Sequence, residues 1–143
     1  MLRIGKLTDY AMLILSQLAK ESHAVLSATI LAELLHLPLP TVSKVLKILG
    51  DGGLVNSVRG ADGGYHLARA ACDISIADVI AAMEGEITMT ECCELAGICT
   101  IENMCTMREN WRQINAMIHS FLAKLTISDM LSPLILTGVA NDK

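Results

Sequence analysis

Residues 27–68 read SATILAELLHLPLPTVSKVLKILGDGGLVNSVRGADGGYHLA, and this stretch indicates the fold most clearly. Its first part predicts two helices separated by a turn at residues 37–40, LPLP, because proline is accepted in the first turn of a helix and disrupts its interior. Its last part predicts a β-hairpin with a glycine-rich tip at residues 59–64, RGADGG. Helix, turn, helix and hairpin in this order are typical of a winged helix-turn-helix domain.

The second of these helices has an apolar face and a polar face. The apolar residues follow spacings of three and four and are expected to point inward: Val42, Val45, Leu46 and Leu49. The polar face would then present the residues Pro40, Thr41, Ser43, Lys44 and Lys47. In helix-turn-helix proteins this helix enters the major groove of DNA, where hydroxyl groups contact bases or phosphates and lysines neutralise phosphates. Arg59 on the hairpin tip suits a narrow minor groove. The sequence therefore predicts a double-stranded DNA operator as a partner, although an ordinary solvated surface is the alternative.

The charge distribution agrees with two separate roles along the chain. Residues 1–70 carry a net charge of +2 and residues 71–143 one of −6, which together give the net charge of −4. A basic first half suits contact with nucleic acid better than the total charge suggests. The 143-residue chain has no long uncharged apolar run, and charged residues interrupt its apolar beginning, so we expect a cytoplasmic protein without a membrane span or signal peptide.

Helices are also predicted on both sides of the quoted stretch. Thr8 is expected to cap the first helix, and Ser75 with Asp78 fits a capping box at the start of the helix after the hairpin. A long helix is expected from about residue 108 to 125. Its apolar residues follow a heptad pattern that predicts packing against a partner helix: Trp111, Ile114, Ile118, Phe121 and Leu125.

The predicted fold class is mainly α with a small β-hairpin, a winged helix-turn-helix domain followed by a long C-terminal helix. Five segments are expected along the chain: a winged helix-turn-helix DNA-binding domain at 1–72, a connecting helix and linker at 73–90, a cysteine loop at 91–107, the long helix with a short final turn at 108–131, and a tail at 132–143.

Four of the five cysteines fall within 14 residues. Cys93, Cys99 and Cys105 are evenly spaced, with five residues between neighbours, whereas structural zinc sites usually have closer pairs. Thiolates are soft ligands, and a loop with this spacing can surround a larger cofactor such as an iron–sulfur cluster. Cys92 can alternatively be interpreted as a small buried residue. Cys72 lies outside the group of four cysteines. A thiol–disulfide switch without a metal is the alternative.

The sequence resembles the iron–sulfur-responsive winged-helix regulators typified by IscR and NsrR, over about residues 1–131. The resemblance is carried by the three-cysteine loop and by residues 6–11 (KLTDYA), 57–65 (SVRGADGGY) and 76–80 (IADVI). A branch described as regulators of the SUF cluster-assembly system is similar at residues 1–4 (MLRI), 90–92 (TEC) and 108–115 (RENWRQIN). The resemblance implies a homodimer held together by the long helix, which would serve as a dimerisation helix. It also implies an iron–sulfur cluster of the 2Fe–2S or 4Fe–4S type.

At the position of the fourth cluster ligand, this chain differs from one branch of the family. IscR-like members use a histidine three residues after the last cysteine, where this chain has Arg108, which cannot ligate iron. NsrR-like members use an aspartate from the first helix of the other protomer, and the matching residue here is Asp9. The resemblance thus implies the partner's Asp9, then Cys92, then an exogenous ligand. An acid favoured by the helix dipole is the other explanation of Asp9.

Together these features predict a transcription regulator, a repressor that senses iron–sulfur cluster status and controls SUF genes, and not an enzyme. A nitric oxide or redox sensor of the same fold is the alternative, because it would share every residue named above. A thiol or metal-transfer protein is a further alternative, which the lack of a histidine in a catalytic context disfavours.

Overall fold

Six helices and one two-stranded hairpin form the part of the chain, residues 3–135, that the computed structural model describes. The winged domain contains α1 (Lys6–Lys20), α2 (Ala28–Leu35), α3 (Leu39–Asp51), β1 (Val55–Val58) and β2 (Gly64–Leu67). It is followed by α4 (Ile76–Glu84), α5 (Glu91–Glu94) and α6 (Arg108–Lys124), with short 3-10 turns at Ala71–Asp73 and Asp129–Leu131. The predicted fold class is confirmed. Residues 1–2 and 136–143, which include part of the MLRI stretch and most of the predicted tail, lie outside the described residues.

The core of the winged domain is aliphatic, as expected from a chain with only 3% aromatic residues. The four residues predicted for the inner face of α3 are all fully buried, which confirms the periodicity: Val42, Val45, Leu46 and Leu49. They pack with the buried face of α1, formed by Ala11, Ile14, Leu15 and Leu18. The inward face of α3 is therefore fixed by apolar burial, and its polar face must lie on the outside.

The hairpin is attached to the rest of the domain by its second strand. β1 pairs with β2 in antiparallel register, with Val58 opposite Gly64. On the other side of β2, the amide of Tyr65 donates to the carbonyl of Leu26 at 2.8 Å, and the amide of Leu26 donates back at 3.0 Å. A Cβ atom added at Gly64 would lie 2.5 Å from the Leu26 backbone. The wing is thus anchored to the segment before α2 at a position that only glycine can occupy.

We expect Gly64→Ala to destabilise the winged domain by about 1–3 kcal/mol, because the new methyl group forces the two backbones apart. Gly50→Ala is the matched control, since a Cβ at Gly50 in α3 meets nothing closer than 4.0 Å. Alanine is the better helix former by about 0.5–1 kcal/mol, so this second variant should be as stable as the parent or more so. Urea unfolding followed by circular dichroism measures both effects, and equal stabilities of the two variants would contradict the anchoring role.

Arg69 and Asp78 join the winged domain to α4. Arg69 donates to the carbonyl of Asp73 at 2.8 Å and to the Asp78 carboxylate at 3.1 Å. Asp78 also completes the predicted capping box with Ser75, which is confirmed. Partial burial would raise the pKa of Asp78, but the hydrogen bonds from Ser75 and the positive charge of Arg69 outweigh it and hold the pKa below its usual value. The start of α4 is therefore fixed relative to the wing.

The prediction that Thr8 caps α1 is wrong. Gly5 occupies the N-cap position without a side-chain cap, and Thr8 is buried inside the helix. The Thr8 hydroxyl hydrogen-bonds to the carboxylate of Glu84 at the end of α4, which also accepts from the amide of Gly5 at 2.6 Å. A contact between residues 76 positions apart thus replaces the local cap, and it ties the beginning of α1 to the end of α4.

Candidate DNA-binding surface and cysteine centre

The outer face of α3 carries the residues that the sequence assigns to DNA. Ser43, Lys44 and Lys47 are exposed, as is Pro40 in the first turn, and Thr41 is half-buried. Within residues 3–135 neither lysine takes part in an ion pair, so their charges are not neutralised inside the chain. The face therefore offers two cations and two hydroxyl groups to a nucleic acid backbone or a base edge.

Arg59 follows β1 directly, at the tip of the wing. Its side chain is exposed and forms no ion pair with another described residue. Gly60, next to it, has a φ of 119°, a backbone conformation that favours glycine and keeps the tip free of bulky side chains. The arginine can therefore reach outward from the domain without obstruction from its neighbours.

The cysteine loop begins at the short helix α5. Cys92 in this helix is buried, whereas Cys93, Cys99 and Cys105 are half-buried, and all four are free thiols. The Thr90 hydroxyl lies 3.1 Å from the Cys92 sulfur and 3.3 Å from the Cys93 sulfur. No three His, Cys, Asp or Glu side chains of the described chain converge closely enough to hold a single metal ion. The loop thus carries the three predicted ligands on one segment without joining them at one point.

Glu102 lies at the centre of this loop and was not singled out by its sequence context. Its carboxylate is buried and pairs with Arg108 at 2.6 Å and with Arg112 at 3.2 Å, both on α6. Arg112 also donates from Nε to the carbonyl of Cys92 at 3.2 Å. These contacts fasten the loop and α5 to the first turns of α6.

The remaining candidate ligand, Asp9, lies elsewhere in the fold. It is exposed on α1 and lines a groove together with Met12 of α1 and Ile80 of α4, to which none of the cysteines contributes. The structure of a single chain therefore does not bring Asp9 to the cysteine loop.

The predicted seam of α6 is open to solvent in the single chain. Exposed fractions are 38% for Trp111, 41% for Ile114 and 46% for Phe121, while Ile118 is half-buried. Leu125 is half-buried and lies just beyond the helix, at its C-cap position. In α6 no residue is fully buried within the chain, which is unusual for a 17-residue amphipathic helix. A large apolar face is thus left uncovered along α6.

Comparison with known proteins identifies the family. The profile described as "Rrf2: Iron-dependent Transcriptional regulator" matches residues 4–133. The chain belongs to the Rrf2 family of transcriptional regulators. It is 32% identical over 127 residues to a candidate HTH-type transcriptional regulator of Neisseria meningitidis serogroup B, covering 89% of this chain and 84% of that protein.

Two solved structures of regulators extend the comparison. CymR, the global cysteine regulator of B. subtilis, superimposes with a TM-score of 0.72 at 28% identity, covering 92% of this chain and 97% of CymR. IscR of T. potens gives a TM-score of 0.69 at 28% identity, covering 91% of this chain and 86% of that one. The Rrf2 chain is therefore a helix-turn-helix transcription regulator of a DNA-binding family, and not an enzyme. None of the helices described in residues 3–135 combines the length with the apolar character that a membrane span requires.

Two polar networks of this Rrf2 chain were not predicted from the sequence. Glu84 and Glu102 are single acidic residues without a motif, and each acquires its role from partners on another element. The available signal was weak: Glu102 is the only acidic residue between Cys99 and Cys105, and two arginines follow at the spacing of one helical turn. Pairing of that acid with those arginines could have been anticipated once the loop was placed against α6.

Proposed function

We propose that this Rrf2 protein is a cytoplasmic homodimeric repressor that binds an operator in duplex DNA and senses iron–sulfur cluster status through Cys93, Cys99 and Cys105. The observation that carries the proposal is the position of α6. This helix packs on α4, which is joined to the winged domain, and on α5, where the cysteine loop begins. A change at the cysteines can therefore reach the DNA-binding domain through α6 and then α4.

The DNA-binding part of the proposal rests on two exposed cationic elements. Lys44 and Lys47 on α3 would contact phosphates beside the major groove, where Pro40, Thr41 and Ser43 face the bases. Arg59 would enter the adjacent minor groove. In a dimer, both α3 helices must reach successive major grooves, which lie about 34–36 Å apart. The relative setting of the two winged domains would then decide the operator affinity.

The cluster part of the proposal rests on the donor set. Three free, half-buried thiols on one loop fit an iron–sulfur cluster by their chemistry, and the wide spacing between them suits an object larger than one ion. Cys93, Cys99 and Cys105 would hold the cluster. The iron–sulfur bonds of the cluster would respond to oxidants and to the iron supply. The chain itself contributes the loop and its attachment to α6.

For the fourth position we favour the partner's Asp9 over Cys92. Asp9 is exposed on α1 and available to another chain, whereas Cys92 is buried within this chain. A weak oxygen ligand beside three sulfurs would make the cluster easy to lose, which suits a sensor.

We further propose that the protein controls SUF cluster-assembly genes. This control is supported by the similarity at residues 1–4, 90–92 and 108–115. DNase footprinting on the promoter of a cluster-assembly operon from the same genome tests it. Protection of an inverted repeat there is the expected result, and protection only at unrelated promoters would contradict it.

A nitric oxide or redox sensor is the second candidate function. The observation that favours it is the Thr90 hydroxyl, which lies within 3.3 Å of both the Cys92 and the Cys93 sulfur and can form a hydrogen bond with either. Loss of operator binding on exposure of cluster-free protein to hydrogen peroxide or a nitric oxide donor would support this candidate. An effect seen only with the loaded protein supports cluster sensing instead.

We expect Arg59→Ala to lower operator affinity about tenfold or more and to reduce the slope of log K against log salt by about two, because each protomer of the dimer loses one phosphate or minor-groove contact. The matched control is Lys124→Ala, an exposed cation at the far end of α6. Fluorescence anisotropy with a duplex selected by the wild-type protein from a random pool measures both. If Arg59→Ala binds as tightly as the control at every salt concentration, the wing does not contact DNA.

A further inference from the structure

Glu102 is a buried charged residue in the middle of the cysteine loop. Only 6% of its surface is exposed, and its two oxygens accept two hydrogen bonds, from Gly97 and Arg112, and form an ion pair with Arg108. Arg108 and Arg112 of α6 contact Oε1 at 2.6 Å and 3.2 Å, and the amide of Gly97 donates to Oε2. A carboxylate that is removed from water in this way is stable only while its partners are in place.

The partners of Glu102 lie on both sides of the predicted ligands. Gly97 precedes Cys99, and the amide of Glu102 itself donates to the Cys99 carbonyl at 3.1 Å. Arg108 follows Cys105 by three residues, and Arg112 holds the carbonyl of Cys92 at 3.2 Å. One carboxylate and two guanidinium groups thus connect α5, both halves of the loop and the start of α6.

Arg108 has a further donor within this network. Its Nε is buried and, among the described residues, has no hydrogen-bond partner. An unpaired buried donor is costly, and a sulfur acceptor in the loop would remove that cost. Arg108 also stands where the IscR-like regulators carry a ligand histidine, so in this chain the position serves an ion pair.

We propose that Glu102 is the positioning residue of the cysteine loop: with Arg108 and Arg112 it fixes the loop on α6 in the metal-free protein and transmits the state of the cysteines to that helix. The fixing of the loop follows from the contacts alone, whereas the transmission rests on the proposed cluster-sensing function. No ligand role is assigned to Glu102, because both of its oxygens are already engaged by donors.

Hydrogen exchange of the metal-free, full-length protein tests the first half. In Glu102→Gln the backbone amides of residues 95–105 should exchange about tenfold faster or more, because charge-assisted hydrogen bonds are lost there. Amides of α1 and α3 should keep their protection, which shows that the fold is intact. Glu109→Gln is the matched control, since Glu109 is exposed on α6, the helix that carries both arginines, and among the described residues its carboxylate accepts a hydrogen bond from Gln113 alone, at 3.5 Å. Unchanged exchange of the loop in Glu102→Gln overturns the proposal.

Iron loading under anaerobic reconstitution tests the second half. We expect Glu102→Gln to acquire iron several-fold more slowly than the parent, and Glu102→Asp, which keeps the charge, to lie between them. A faster-exchanging loop that nevertheless loads iron at the parental rate overturns the positioning role. If the parent itself takes up no iron, the proposed cluster function fails, while the exchange result still decides whether Glu102 fixes the loop on α6. Arg108→Gln should shift exchange in the same direction, and it replaces Glu102→Gln if that variant does not fold.

Discussion

The double substitution Ile114→Asp and Phe121→Asp is expected to convert the protein to a monomer and to lower its operator affinity about a thousandfold. Both side chains are exposed in the single chain, at 41% and 46%, on a helix that has no fully buried residue. Each protomer would place two carboxylates without partners in a buried apolar seam, four in the dimer, and such burial costs several kcal/mol. A monomer also contacts only one half-site, so most of the specific free energy of binding is lost.

Sedimentation velocity and operator titration measure the two parts of this result. The matched control is Ala123→Asp, which places one carboxylate at an exposed position on the opposite side of α6. This variant should remain dimeric and bind the operator as the parent does. If the double variant stays dimeric while its winged domain remains folded, the seam on α6 is not the dimer interface.

The triple substitution of Cys93, Cys99 and Cys105 by serine is the second change with a large expected effect. Iron and sulfide per protomer after anaerobic reconstitution should fall to background, together with the visible absorbance, because hydroxyl groups replace every thiolate of the ligand set. Stability should change little, since all three thiols are only half-buried. Cys72→Ser, in an exposed turn outside the loop, is the control and should load as the parent does. Parental iron content and absorbance in the triple variant would remove these residues from the site.

The winged domain and the start of α4 could be predicted because their signals are local and periodic. The inner face of α3, the hairpin and the Ser75–Asp78 capping box each depend on residues close together in the chain, and the structure contains all three. The outer residues of α3 followed from the inner ones, because a helix with one buried face must expose the other. The DNA contacts of that outer face stay a prediction.

The cysteine region could be predicted only in part. The spacing of the thiols indicates a soft ligand set, but how the loop sits on α6 depends on Glu102 meeting Arg108 and Arg112 in three dimensions. Thr8 shows the same limit, since its local context favours a cap and a glutamate from α4 decides its place. Long-range polar contacts of single residues leave no periodic signal. A fourth ligand from another protomer also lies beyond the structure of one chain.

The most direct test of cluster sensing is an anaerobic titration of one operator duplex with cluster-loaded and cluster-free protein from the same preparation. The proposed function predicts operator affinities that differ tenfold or more, a coupling of about 1.4 kcal/mol, and predicts that the difference disappears in the triple serine variant. Equal affinities of the loaded and the cluster-free dimer would contradict it.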